Sequence, residues 1–349
     1  MIGTHALLEE KVQFADLGLV VVDEQHRFGV EQRAALTAKA GETPPHVLVM
    51  TATPIPRTIA MTVFGDLETS TLTELPAGRA PIQTNVVALA ENPGWLDRAW
   101  ARIREEVARG QQAYVVCPRI GDAAGTRKRA ADDEEQPGAA EEDEKVPPAA
   151  VDEVAPALAG GALSGLRVGV LHGRLPADGK DAVMRAFAAG EVDVLVSTTV
   201  IEVGVDVANA TVMVILDAER FGISQLHQLR GRVGRGGLPG LCLLVTRAER
   251  GTVARDRLEA VAATTDGFEL AQLDLVQRRE GDVLGTSQSG RRSSLRLLSV
   301  LKHEDVIVEA RASVAMVLEG DPDLSAHRAL AAAARALNET DRADYLEKA

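Results

Sequence analysis

The sequence predicts an α/β protein: two parallel-sheet blocks followed by a mainly helical C-terminal region. Three observations carry that expectation. Valine-rich apolar runs recur along the chain, helical patterns ending at glycine lie between several of them, and the strand-like runs stop near residue 250. Strands covered by helices on both faces read as unbroken apolar runs, because neither face meets water.

Taken in order, "LGLVVVD" (17–23) and "HVLVMTAT" (46–53) are buried-strand candidates, with a short helical pattern "VEQRAALTAKAGE" between them. A third strand, "IQTNVVAL" (82–89), follows a Pro- and Gly-containing stretch, "ELPAGRAPI", which reads as a linker between blocks. The second block continues with the helix "GWLDRAWARIREEVARG", ending at Gly110, and the strand "QAYVVCP". The strand "LRVGVLHG" (166–173), the helix "GKDAVMRAFAAGE" and the strands "VDVLVSTT" (192–199), "ATVMVILDAE" (210–219) and "GLCLLVT" (240–246) complete it. These readings place a first domain at 1–78, a second at 79–249 and a helical region at 250–349.

Residues 121–161 interrupt the pattern. They combine blocks of like charge with several prolines and glycines and show no apolar period, so a disordered acidic insertion is expected there. The insertion also qualifies the overall charge. The chain carries a net −13, yet residues 121–155 hold 11 acids against 4 bases, while residues 226–300 hold 12 arginines against 8 acids. An acidic whole is therefore compatible with a locally basic, anion-binding surface.

At 349 residues the chain can hold two cores, and with 3% aromatics these must be built from Val, Leu, Ala and Ile. No apolar run reaches the ~18 residues of a membrane span. The N-terminus lacks the basic, apolar and small-residue regions of a signal peptide. Cys117 and Cys242 both sit in apolar strand runs and read as buried free thiols. A soluble, cytoplasmic protein is expected.

The chemistry collects at strand ends. Ligands of parallel α/β sheets bind beyond the carboxyl ends of the strands. Asp23, closing "VVVD", is placed to hold a Mg²⁺ ion through water, and Glu24 to orient or deprotonate a water attacking a γ-phosphate. The same pair also reads as a helix N-cap with an acidic first turn. Further polar motifs follow other strands: "MTATPIPRT" from Met50 and "STTVIEVGVDVANA" from Ser197. In "QLHQLRGRVGRGG", Arg232 and Arg235 are three apart, so on a helix they would share a face and could neutralise charge at a phosphate. A solvated basic face would explain either arginine alone, but not the ordered series of strand-end motifs.

That ordered set, "GTHALL", "VVVDEQHRFGV", "TATPIPRT", "TTVIEVGVDVANA" and "QLHQLRGRVGRG", resembles the superfamily 2 helicase core, and within it the RecG family. The transcription-repair coupling translocases share "RFGV" and "RGRVGR", whereas "DEQH", "LHGR" and "LGTSQSG" resemble RecG more. The resemblance implies two RecA-like motor domains, the first incomplete here, in an ATP- and Mg²⁺-dependent DNA translocase of recombination and repair. Its substrates would be branched double-stranded DNA such as stalled forks and Holliday junctions. It further implies a monomer and a single-stranded-DNA-binding protein as partner.

By the same resemblance, Asp23 and Glu24 are the Mg²⁺ and catalytic carboxylates, continued by Gln25 and His26. Gly3, Thr4 and His5 contact DNA, while Thr51, Ala52 and Thr53 couple hydrolysis to DNA movement, as do Thr198 and Thr199. Glu202, Gly204, Asp206 and Gln228 touch nucleotide, and Arg232 and Arg235 reach its phosphates. Residues 250–290 would convert domain closure into translocation, although "RREGD" (278–282) departs from the family's Arg-Gly-Pro-Gly-Glu.

A larger departure is that no G-x-x-x-x-G-K-[ST] phosphate loop occurs. "GRLPADGKD" (173–181) has the wrong spacing and Asp181 where a hydroxyl is needed. The expectation is therefore a C-terminal part of such a protein, from a truncated gene model, an internal start or an excised fragment, and ATPase-deficient in isolation. The competing expectation is a DNA- or protein-binding module without ATP turnover.

Overall fold

The computed structural model describes residues 1–9, 11–24, 45–51, 70, 72, 80–121, 147–202, 206–277 and 303–338. Its contacts divide the chain into two units, Met1–Thr71 with Arg279–Ala349, and Leu72–Arg278.

In the first unit, β1 (Leu19–Val22) and β2 (His46–Val49) pair in parallel, Val20 opposite Val47 and Val22 opposite Val49. Val20 and Val22 are buried while Leu19 and Val21 are exposed, the two-residue alternation that the pleat imposes. The helical pattern expected at 30–42 lies outside the described residues.

Among the described residues the second unit is a six-stranded, wholly parallel sheet with the strands side by side in the order Ile82–Ala88, Gly240–Thr246, Ala210–Ile215, Gln112–Val116, Val194–Ser197 and Val168–Leu171. Its elements run β3 (Ile82–Ala88), α1 (Trp95–Ala108), β4 (Gln112–Val116), α2 (Val151–Gly160), β5 (Val168–Leu171), α3 (Ala177–Ala188), β6 (Val194–Ser197), β7 (Ala210–Ile215), α4 (Ile223–Arg230), β8 (Gly240–Thr246), α5 (Val253–Ala263) and α6 (Gly267–Gln277). Alternate residues of each strand serve opposite cores. Tyr114 and Val116 pack with Phe187 of α3, Leu226 of α4, Leu258 of α5 and Leu270 of α6. Ala113, Val115 and Cys117 pack with Ile103 of α1 and Val151, Ala155 and Leu158 of α2. The result is three layers, helix–sheet–helix, and every residue of β4 is buried. Both cysteines are buried free thiols, and burial pushes each up to about 12, so they sit as neutral core residues.

Two sequence expectations need correction. The acidic insertion does not extend to 161: α2 is a packed helix, and its Val151, Ala155 and Leu158 recur at helical spacing and are buried. Its start is stitched to the segment that follows β4, with Val151 N–H donating to Arg119 O at 3.0 Å and Asp152 N–H to Ile120 O at 2.9 Å. Proline and like charges masked this apolar stripe; Pro156 lies inside the helix. Residues 122–146 lie outside the described residues. Nor does the sheet unit stop at 249, since α5 and α6 contribute Leu258, Val261 and Leu270 to its core.

Returning to the first unit, α7 (Glu304–Gly320) and α8 (Arg328–Asn338) are joined by a turn organised on Asp321. The Asp321 carboxylate accepts from Ser325 N and Ala326 N at 2.8 and 2.9 Å and contacts His327 Nδ1 at 2.9 Å. The His327 contact, with help from the backbone donors, holds that carboxyl down to about 2. Among the described residues, no helix is long and apolar enough to cross a membrane.

Candidate functional site

In the first unit the predicted residues collect at the carboxyl edge of the β1–β2 pair. Asp23 follows β1 directly, and its Oδ1 accepts the backbone N–H of Glu24 at 2.8 Å. Glu24 has φ +54°, left-handed backbone that a non-glycine residue adopts only under constraint. A right-handed helix therefore does not start at Glu24, and the bond from the adjacent residue is not the N2 or N3 contact of a capping aspartate. The N-cap alternative is not realised. Asp23 is left as an exposed carboxylate at a strand end. Thr51 follows β2 at the same edge, where Met50 N–H donates to Val22 O at 2.7 Å.

Thr4 caps the 3-10 turn His5–Leu8, its hydroxyl accepting Ala6 N–H at 3.5 Å. Gly3 is held small by Leu7, whose Cγ would lie 2.8 Å from an added Cβ. Gln25, His26, Ala52, Thr53 and Gly204 lie outside the described residues, as do the side chains of His5 and Glu202.

The second unit brings two more predicted motifs together. The helix α4 opens with Gln225 Oε1 accepting the N–H of Gly222 at 3.1 Å, which satisfies one donor at its N-terminus. It ends at Arg230, with Gly231 as its cap. Gln228 lies on it, half-buried. Arg232 and Arg235 therefore do not share a helical face: they follow the helix in a tight turn in which Gly234 has φ +74°. Glycine ends the helix where the three-residue spacing alone would have continued it.

Arg235 Nε donates to Gly231 O at 2.9 Å, and its Nη1 lies 3.6 Å from Asp206 Oδ1. The contact between the two segments depends on Gly236, where an added Cβ would come within 2.3 Å of Ala208 O. Tyr114 of β4 is the neighbour that strand patterning alone does not disclose. Burial pushes its phenol up to about 12, while Arg232 and Arg235 pull it down and Asp206 raises it, so all three charges lie near it. The ring packs on Phe187 with centroids 4.9 Å apart.

The remaining arginine of the motif, Arg230, is structural. It is buried, donates to Val261 O and Thr264 O at 2.6 and 2.8 Å, and so satisfies carbonyls at the end of α5.

A cleft of about 350 Å³ opens beyond the carboxyl ends of β4, β5 and β6. Its lining includes Arg119, Gly121, Gly173, Arg174, Thr198 and Thr199. Thr198 and Thr199 were expected to meet nucleic acid; Arg119 and Arg174 were not singled out. Arg174 Nη1 donates to Gly121 O at 2.8 Å, and Arg119 Nε donates to Pro148 O at 2.9 Å. Arg119 Nη2 also contacts Glu153 Oε1 at 3.5 Å, so both guanidiniums are held in place by the segments around the cleft. Two hydroxyls, two guanidiniums and Gly173, which leaves open space where a side chain would stand, suit a phosphodiester backbone. The signal for both arginines is their position just past a strand, the rule that picks out Asp23.

Among the described residues, no group of three or more His, Cys, Asp or Glu side chains could hold a metal by itself. Asp23 fits a Mg²⁺ ion in the way that ion is held on nucleotides, by one or two carboxylates, retained waters and phosphate oxygens.

Comparison with known proteins agrees with this layout. Residues 1–62 match the DEAD/DEAH box helicase family and residues 150–237 the helicase conserved C-terminal domain. The chain is 57% identical over 350 residues to the ATP-dependent DNA helicase RecG of Mycobacterium tuberculosis, covering 100% of this chain and 45% of that protein. It is 47% identical over 327 residues to RecG of Synechocystis, covering 94% of this chain and 36% of that protein. A solved structure of RecG bound to a three-way DNA junction superposes with a TM-score of 0.59 at 37% identity, covering 89% of this chain and 35% of the other. The chain thus spans less than half the length of these relatives. The parallel three-layer architecture is the RecA-like helicase fold.

Proposed function

Because the chain belongs to the RecG family of helicases, we propose that it supplies motor elements of an ATP-dependent translocase remodelling branched DNA in recombination and repair. The observation that carries this reading is the match along the whole chain to RecG, with the family's polar motifs set at strand ends on both sheets. Stalled forks and Holliday junctions are the substrates, the chain acts as a monomer in the cytoplasm, and a single-stranded-DNA-binding protein is a partner.

In this reading Asp23 holds Mg²⁺ through water and Glu24 orients the attacking water, with Gln25 and His26 completing their motif. The metal, when bound with ATP, neutralises charge on the phosphates. Arg232 and Arg235 add positive charge at the γ-phosphate, and Glu202, Gly204, Asp206 and Gln228 complete the nucleotide contacts. Gly3, Thr4, His5, Thr51, Ala52, Thr53, Thr198 and Thr199 bind DNA or couple its movement to hydrolysis. Arg119 and Arg174 join them as backbone-phosphate ligands of the cleft.

The DNA half of the reading is testable on the 349-residue protein itself by fluorescence anisotropy with a three-way junction. Removing one phosphate contact by Arg174→Ala should weaken binding severalfold and lower the slope of log affinity against log salt by about 1. Unchanged affinity and slope would show that the cleft does not meet the backbone.

A further inference from the structure

Asp206 and Arg235 both belong to the set assigned above to nucleotide, yet in this structure they engage each other. The contact is a particular kind of ion pair. At 3.6 Å between Nη1 and Oδ1 it is too long for a hydrogen bond, so it rests on Coulomb attraction alone. The Asp206 side chain is 64% exposed, so a carboxylate released from the pair is solvated at once. Arg235, by contrast, is anchored: its Nε is committed to Gly231 O at 2.9 Å, while among the described residues its terminal nitrogens make the long contact to Asp206. A phosphate offers those nitrogens short, charge-assisted, bidentate bonds and more negative charge than a carboxylate.

We propose that Asp206 is the resting counter-ion of Arg235: it holds the guanidinium in place until a phosphate displaces it, and does not itself grip the nucleotide. Gly236 makes the arrangement possible by letting residues 206–209 close against the turn that carries Arg235. The proposal rests on the reading of Arg235 as a phosphate-binding group. It inverts the sign of the effect expected for Asp206, since a nucleotide ligand strengthens binding whereas a competing counter-ion weakens it.

The test follows the Arg235 Nε–H resonance in the 349-residue protein, assigned with Arg235→Lys, while inorganic triphosphate is added. An exposed ion pair contributes up to about 1 kcal/mol, so Asp206→Asn should lower the half-saturating triphosphate concentration by roughly two- to fivefold. A resonance that responds to triphosphate with half-saturation unchanged or raised in Asp206→Asn would overturn the counter-ion role and leave the phosphate assignment of Arg235 standing. A resonance that never responds, in either protein, would overturn that assignment and the counter-ion role with it.

Discussion

Gly236 illustrates how one missing methyl group can hold a site together. The loop ending β8's predecessor turn and the Asp206–Asn209 segment approach so closely that an added Cβ would meet Ala208 O at 2.3 Å and Ala208 C at 2.8 Å, both backbone atoms that cannot swing aside. Overpacking of this kind costs about 1–3 kcal/mol. Gly236→Ala should therefore lower the melting temperature by several degrees, read by circular dichroism. An unchanged melting temperature would mean that the turn gives way at no cost and does not fix Arg235 beside Asp206. Single residues also mark where sequence reasoning fell short. Tyr114 in "QAYVVCP" reads as core, and it is core, yet its hydroxyl end lies near Arg232, Arg235 and Asp206. Burial and proximity to a site are not exclusive, and a strand pattern reports only the first.

At the scale of elements, the strands were legible and some junctions were not. The eight strands among the described residues fall within the apolar runs that predict them, and those of the second unit show why: a strand covered on both faces leaves an unbroken apolar signature. The helix α2 was hidden by its surroundings: acids precede it and Pro156 interrupts it, although Val151, Ala155 and Leu158 still mark a buried stripe. The turn carrying Arg232 and Arg235 was read as helix because a spacing of three fits both, and Gly231 and Gly234 decide between them. The position of α2 gives a sharp prediction. Replacing residues 122–146 by a Gly-Ser linker of about ten residues should leave thermal stability nearly unchanged. Extending the replacement to 155 removes the buried Val151 and Ala155, and losses of a few kcal/mol per large buried side chain should drop the melting temperature markedly. Equal stability of the two variants would show that α2 contributes nothing to the core.

For the whole molecule, the order of motifs identified the family, and the fold places Asp23, Thr51, Thr198 and Thr199 beyond the carboxyl ends of parallel strands, where such sheets bind ligands, while Arg232 and Arg235 sit in the turn between α4 and β8. What spacing could not supply was the partnership between motifs, such as Asp206 with Arg235, because it depends on which loops the sheet order makes neighbours. The central claim is that Asp23, Glu24, Arg232 and Arg235 serve ATP hydrolysis together with a phosphate-binding loop that these 349 residues do not contain. Such loops supply the backbone donors and lysine that hold the β- and γ-phosphates. The most direct measurement is DNA-stimulated ATP hydrolysis by two proteins: the 349-residue chain, and Mycobacterium tuberculosis RecG with its matched 350 residues replaced by this chain. The first should stay at background. The second should turn over on branched DNA and lose at least about 100-fold in rate with either Glu24→Gln or Arg235→Ala. Robust turnover by the chain alone, or a graft whose turnover survives both substitutions, would contradict the account.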